Sequence, residues 1–370
     1  MTYDYSGQWV GWSEGDPSGR VVVDFDPISE GAKGIACLFS SDPKMPSSAI
    51  ELTLHNNSSA NDFQTEVFGF DSFNGRQYFG IDLQQRWPEC MFPTSVSGTA
   101  KLESEHKILI KWKSNLGTYG SAVIDRVQME KTSKIEKNTV VKNWNDFKSW
   151  ASEQKFRHYA FRGQSKPYPL QTSFHRTSRK NLHKYLQEDV QILLHSITGK
   201  TEHIFDLNRP PELGAFMSLA QHHGFPTPLL DWTLSPFVAA WFAFSGAKRM
   251  DTLDGVVRIF ALDTDAYRKK RQFQSLTFLQ PHFSILETLA IENDRAIPQQ
   301  GLLTLTNMHD IETYIQSLEV SPTERLILAF DLPVSDLGDA INDLAMMGIT
   351  RSTMLPGIES ICLDMKDRLF

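Results

Sequence analysis

Residues 220–247 read AQHHGFPTPLLDWTLSPFVAAWFAFSGA, and this stretch sets the character of everything after residue 144. Its second half decides the local fold. Ser235 has a side chain suited to capping a helix start, Pro236 fits the first helical position, and FVAAWFAFSGA then runs apolar to its end. A helix apolar on nearly all sides has no face for water, so it is expected as the buried spine of its domain. The first half differs in kind. His222, His223, Asp231, Thr233 and Ser235 sit with Trp232 among glycine- and proline-governed turns, between two apolar helices. Polar groups there are costly unless bonded, so the segment either caps those helices or lines a pocket. His222 and Asp231 have the chemistry of a proton-transfer pair; equally, Asp231 can hold the turn through backbone N–H groups.

Around this centre the chain reads as mixed α+β. A helix begins at Trp144 and Phe147 with Asp146 in its first turn, HYAFRG forms a short strand, and apolar residues from Leu182 to Ile197 fall on one helix face. A further helix is expected over about 211–222. GVVRIFAL and RLILAFDL read as strands, SDLGDAINDLAMMG as a helix, and a short strand is expected near Cys362.

Before residue 128 the grammar is that of strands. VVVDFD, AIELTLHN, KILIKWKS and SAVIDRV alternate apolar and polar residues, with turn residues near Gly15, Asp42, Asn74 and Gly117 between them. No 3.6-residue stripe stands out there, and an all-β sandwich or small barrel is expected over residues 1–128. Residues 129–143, MEKTSKIEKNTVVKN, are polar and charged and read as a linker, leaving 144–370 as the second domain.

Composition narrows the classes. The 370 residues carry 37 basic and 44 acidic side chains, a net charge of −7, which argues against a broad basic nucleic-acid face. Cys37, Cys90 and Cys362 are widely spaced and form neither a disulfide framework nor a CxxC metal site, as expected of a protein of the reducing cytoplasm. The opening MTYDYSGQW does not read as a secretory signal, and the longest apolar run, from Phe237 to Phe244, is far shorter than a bilayer span, so no membrane partner is expected. HxH, HExxH and GxGxxG patterns are absent, so no metal is expected.

Two further segments carry candidate chemistry. Arg162 ends an apolar strand and is followed by Gly163 and Gln164. A guanidinium there offers a fork to phosphate, and the glycine lets a ligand approach the backbone; the plainer reading is an arginine brace. In RAIPQQGLLT, from Arg295 to Thr304, Gln299 and Gln300 precede a strand, and a carboxamide can bond a ribose or a base edge, or simply face solvent.

Phe161-Arg162-Gly163-Gln164, taken with Ala220–Ala243, RAIPQQGLLTL and MGITRSTMLPGIES, resembles the FRG domain, over roughly Trp144 to Phe370. Pro228 stands where that family usually has arginine, which removes a cation. A second, fold-level resemblance is to ADP-ribosyltransferases, in which an Arg-Gly strand end holds NAD, hydroxyls of a strand support the ribose, and a later loop supplies a carboxylate. The matching pieces are Arg162-Gly163, Thr233-x-Ser235 and Gln299-Gln300, in the right order. The resemblance implies an NAD-dependent transferase, with Arg162, His222 and Gln300 at the reacting centre and Arg162, Gly163, Gln164, Thr233 and Ser235 around NAD. Gln300 lacks charge, so Glu292, Glu287 or Glu359 would have to supply the carboxylate. Such an enzyme would suit a toxin or anti-phage effector, with the β-rich region sensing a trigger or choosing a protein or nucleic-acid target. The alternative is a non-catalytic module that binds a nucleotide or a partner; hydrolase or nuclease chemistry through His222 and Asp231 is a third.

Overall fold

The computed structural model describes residues 2–42, 44–71, 77–78, 80–247, 255–271, 279–286, 289–321 and 324–369. Asn74 and Glu287 lie outside them. By its internal contacts the chain divides into two units: Met1–Gln128 with Phe174–Ser196 and Gln274–Pro281, and Met129–Ser173 with Ile197–Phe273 and His282–Phe370.

The first unit is built on one antiparallel sheet. Its strands are β1 (Gly7–Gly15), β2 (Gly19–Ile28), β3 (Gly31–Ser40), β4 (Ser47–His55), β5 (Ala60–Glu66), β6 (Phe68–Phe70), β7 (Gln77–Tyr78), β8 (Ser95–Ser104), β9 (Lys107–Ser114) and β10 (Tyr119–Arg126). The spatial order is β5-β8-β9-β10-β1-β2-β3-β4-β6-β7. Eight of these strands follow one another as an up-and-down meander, and β10 pairs back onto β1. The two edges of that meander, β4 and β5, are joined by residues 56–59, and His55 N donates to Asn61 Oδ1 at 2.8 Å beside the turn. The sheet therefore curls into a small barrel, the second of the two forms expected. Trp9, Val23, Phe25, Leu54, Ala100, Ile108 and Ile124 fill its interior. A short helix, α1 (Gly80–Arg86), also stands in this half, where no helical stripe was expected. Leu83 of this helix is buried in a small cluster with Trp87 and Cys90, which is too few apolar residues to make a periodic signal.

In the second unit α2 (Trp144–Ser152) leads into β11 (Tyr159–Gln164). The chain then carries α3 (Leu182–Lys184) and α4 (Val190–Ile197), joined by a π-turn over Tyr185–Asp189, within a segment that packs in the first unit. Asp26 secures that segment, accepting from Lys180 N and, at 2.8 Å, from Asn181 N, while Arg179 Nε pairs with its other oxygen. The sequence had grouped these helices with the C-terminal half; one buried carboxylate on β2 holds them elsewhere.

Next come α5 (Pro210–His222), β12 (Leu229–Thr233), α6 (Pro236–Ala247), β13 (Val256–Asp263), α7 (Thr264–Lys270), β14 (Phe283–Leu286), β15 (Gly301–Thr306), α8 (Ile311–Gln316), β16 (Ile327–Pro333), α9 (Leu337–Met346), α10 (Arg351–Met354) and α11 (Ile358–Leu369). The six strands lie in the order β14-β15-β12-β11-β13-β16. One face carries α2, α6 and α9, with Phe147, Phe161, Ala239, Phe244, Ile259 and Phe330 fully or nearly buried between them. Leu230, Trp232, Phe260, Phe283 and Ile311 form the core on the other face. As expected, α6 is the spine: Ser235 Oγ accepts from Val238 N at its start, and seven of its residues are buried.

Two expectations need correction. The region near Cys362 is helix α11, not a strand, because Ile358, Ile361, Cys362, Met365 and Leu369 recur at helical spacing and pair with no strand. Residues 129–143 pack on the second unit. Ile135 and Val141 are buried, Asn138 N donates to Ala329 O at 2.7 Å, and Lys134 bonds Asp310 at 2.7 Å. Two well-placed apolar residues suffice to dock a segment whose composition is otherwise that of a linker.

Candidate functional site

β11 pairs with β13 along its length but with β12 only at Phe161↔Thr233. Beyond that point β11 and β12 part, and Arg162 bridges them: Nη1 donates to the carbonyl of Asp231 at 2.7 Å. The guanidinium thus satisfies a strand carbonyl that has lost its ladder partner, which is the brace reading of this residue.

Gly163 serves packing rather than ligand approach. A Cβ at this position would lie 1.8 Å from Ala239 O and 2.9 Å from Ala243 N, so the backbone of α6 occupies the space that the missing side chain leaves. Gln164 is half-buried and donates to Tyr168 O at 3.2 Å.

The hydroxyls expected to hold a ribose are bonded internally. Thr233 Oγ1 donates to Gln299 O at 2.6 Å and accepts from Ser235 N at 3.0 Å, and Ser235 Oγ caps α6. Both residues are buried, Thr233 at 4% and Ser235 at 8% exposure. Gln299 Nε2 donates to Met354 O at 2.7 Å. Gln300 is exposed, sits at φ 48°, and its carbonyl accepts from Leu234 N at 3.0 Å. Of the acids that could replace a carboxylate there, Glu292 takes the backbone N–H of His203 at 2.7 Å and Glu359 is exposed in the first turn of α11. Glycine, threonine and serine therefore do not fit the NAD cradle that the resemblance assigned to them: each is already used to join β11, β12, α6 and the turn before β15.

A different group does come together. Asp231 is exposed, and both of its carboxylate oxygens accept from Gln221 Nε2 at 2.7 Å. Gln221 in turn accepts a short bond from Thr227 Oγ1. His222, the last residue of α5, lies within electrostatic reach of Asp231, Arg295 and His223. Burial holds its imidazole below the usual histidine pKa; the nearby Arg295 and His223 push the same way, and Asp231 opposes them. At neutral pH the ring is thus uncharged, able to accept a proton or hydrogen bond on one nitrogen and donate from the other. Asn293 Nδ2 donates to Ser218 Oγ at 3.2 Å and so fixes the segment carrying Arg295 against α5.

Sequence reasoning named His222, Asp231 and the segment from Arg295, but not the coupling of Asp231 to Gln221. Adjacent Gln-His at a helix end gives no sign that the amide faces a strand ten residues on. Among the described residues, no group of three or more His, Cys, Asp or Glu could hold a metal ion, and no helix is long and apolar enough to cross a membrane.

No curated protein matches the chain. Among solved structures it is similar to a redesigned β-barrel, mFAP1, bound to DFHBI, at 10% identity over 33% of this chain and 94% of that one, with a TM-score of 0.23. A second redesigned β-barrel, mFAP0, also bound to DFHBI, matches at 11% identity over 33% and 97%, with a TM-score of 0.23. The stretch that holds Arg162, the end of α5, β12 and all of α6 matches a known family: residues 157–252 correspond to the FRG domain.

Proposed function

We propose that the FRG stretch, with the segment around Arg295, forms a recognition site for a nucleotide and acts by binding rather than by glycosyl transfer. The observation that carries this reading is the convergence of His222, Asp231 and Arg295, from separate segments of the chain, with the Asp231 carboxylate facing solvent. A guanidinium suits a phosphate, a carboxylate suits the hydroxyl pair of a ribose, and a neutral imidazole suits a base edge. Transfer from NAD needs free hydroxyls and a carboxylate at the Gln299-Gln300 turn, whereas Thr233 and Ser235 are bonded within the fold and Gln300 is uncharged.

The test is calorimetric titration of AMP and of NAD into the full chain, with nicotinamide release followed in parallel. Saturable binding that Arg295→Ala weakens about tenfold or more, with no change in melting temperature, supports the reading. No binding of either nucleotide at millimolar concentration overturns it. Steady nicotinamide release would replace it with the transferase reading.

A further inference from the structure

The barrel of the first unit is filled at one end and open at the other. Tyr5, Trp9, Phe25 and Leu54 pack the closed end. Above them lies a cavity of about 150 Å³, walled by Val21, Leu38, Ile50, Phe63, Ile110 and Trp112. Its mouth is formed by the strand-connecting turns at Asp16-Pro17, Met45-Pro46 and Leu116, with Met91-Phe92 from the segment that leads from α1 into β8. Gly120 keeps the Trp112 ring in the wall, since a Cβ there would lie 2.5 Å from Trp112 Cζ2.

Asp16, Ser48, Ser114 and Thr118 also line the cavity, Ser114 and Thr118 bonded to each other; Ser13 differs from that pair in having no partner among the described residues. Ser13 stands opposite Ala122 in the β1–β10 register, on the same inward face as Trp9. It is 0% exposed and lines the cavity, and its Oγ has no hydrogen-bond partner among the described residues. A buried hydroxyl left unpaired is disfavoured, so Ser13 Oγ calls for a partner that enters with the ligand. An apolar cavity of about 150 Å³ has the capacity for one benzene-sized ring. Thioethers at the mouth, from Met45 and Met91, favour an aromatic guest.

We propose that the barrel binds a single-ring aromatic molecule carrying one hydrogen-bonding group, with the ring among Leu38, Ile50, Ile110 and Trp112 and the polar group on Ser13 Oγ. The barrel is then a small-molecule sensor site, independent of the nucleotide site.

The probes are phenol and toluene, alike in size and different in the hydroxyl. Each is titrated calorimetrically into the full chain and into Ser13→Ala and Ala122→Leu. The expected result is saturable binding of both to the parent protein, phenol more tightly. Ser13→Ala weakens phenol about three- to tenfold and leaves toluene unchanged, the range of one net hydrogen bond. Ala122→Leu, which fills the cavity beside Ser13, abolishes both. If Ala122→Leu does not fold, Ile50→Phe fills the same space from the opposite wall. Absence of saturable binding overturns the proposal, as does binding that survives cavity filling. Equal phenol affinity in the parent and in Ser13→Ala overturns the assignment of the polar contact. None of these readouts depends on nucleotide binding.

Discussion

Arg162 Nη1 bonds the carbonyl of Asp231 at 2.7 Å, across the gap where β11 and β12 separate. One side chain thereby does what a ladder bond does elsewhere in the sheet. The same contact ties β11 to the strand whose aspartate carboxylate faces solvent, so stability and the candidate site share a residue.

Arg162→Ala leaves the Asp231 carbonyl without this donor. A hydrogen bond from a charged group contributes about 1.5–3 kcal/mol; because Arg162 is only half-buried, a loss of about 1–2 kcal/mol is expected. In a unit of this size that lowers the melting temperature by about 2–6 °C, measurable by differential scanning calorimetry. Lysine at 162 can reach the carbonyl and should restore part of the loss. An unchanged melting temperature in Arg162→Ala would remove the brace and return the residue to ligand binding.

Gly163→Ala tests the contact on the other face of the strand. The added methyl would lie 1.8 Å from Ala239 O, an impossible approach to a helix backbone that cannot swing aside. The expected cost is about 3 kcal/mol or more, from displacing α6 off β11. Soluble, fully folded Gly163→Ala with an unshifted denaturation midpoint would show that α6 does not pack there.

Asp26→Asn examines what holds residues 174–196. Its carboxylate is 4% exposed and accepts from Arg179 Nε and from the backbone of Lys180 and Asn181. An amide keeps one acceptor oxygen and sets its NH2 against a donor: with the oxygen toward the backbone, Arg179 Nε loses its acceptor, and with the amide turned, Lys180 N and Asn181 N both lose theirs. Hydrogen exchange should show residues 174–196 losing protection, while the Trp9 and Phe25 core of the barrel stays protected. Loss of protection in both together would mean that the segment and the barrel unfold as one.

Much of this architecture is written in local sequence. Ser235-Pro236 followed by an unbroken apolar run specifies α6 with its cap, and period-two alternation specifies the strands of the barrel. What stayed hidden depends on partners distant in sequence. Nothing around Gly163 says which element lies over it, so packing against α6 and approach by a ligand read alike. β12 is five residues long, too short to show a period inside a segment rich in turn residues. The linker-like residues 129–143 bury two large apolar side chains, Ile135 and Val141, below the threshold at which composition registers a core. Arg295 and His222 are each unremarkable in sequence; only the fold brings Arg295 and Asp231 within electrostatic reach of His222.

His282 supplies a pH signature for the second unit. It is 1% exposed, its Nδ1 lies 3.1 Å from Ser284 Oγ, and its Nε2 has no hydrogen-bond partner among the described residues. Burial pushes its pKa down to about 3, whereas the unfolded chain titrates near the ordinary histidine value of 6.5. The unfolded state therefore takes up a proton first as pH falls. Stability due to the neutral ring is full above 6.5 and declines as pH drops from 6.5 toward 3. Between pH 7 and 5.5 the loss is about 1 kcal/mol, and below that it approaches about 1.4 kcal/mol per pH unit. His282→Asn places an amide nitrogen near the position of Nδ1, keeps contact with Ser284, and cannot titrate. Urea midpoints measured from pH 7 to 5 should fall less steeply in His282→Asn than in the parent chain. Parallel slopes in the two proteins would mean that other groups set the acid sensitivity and that His282 does not remain neutral in the fold.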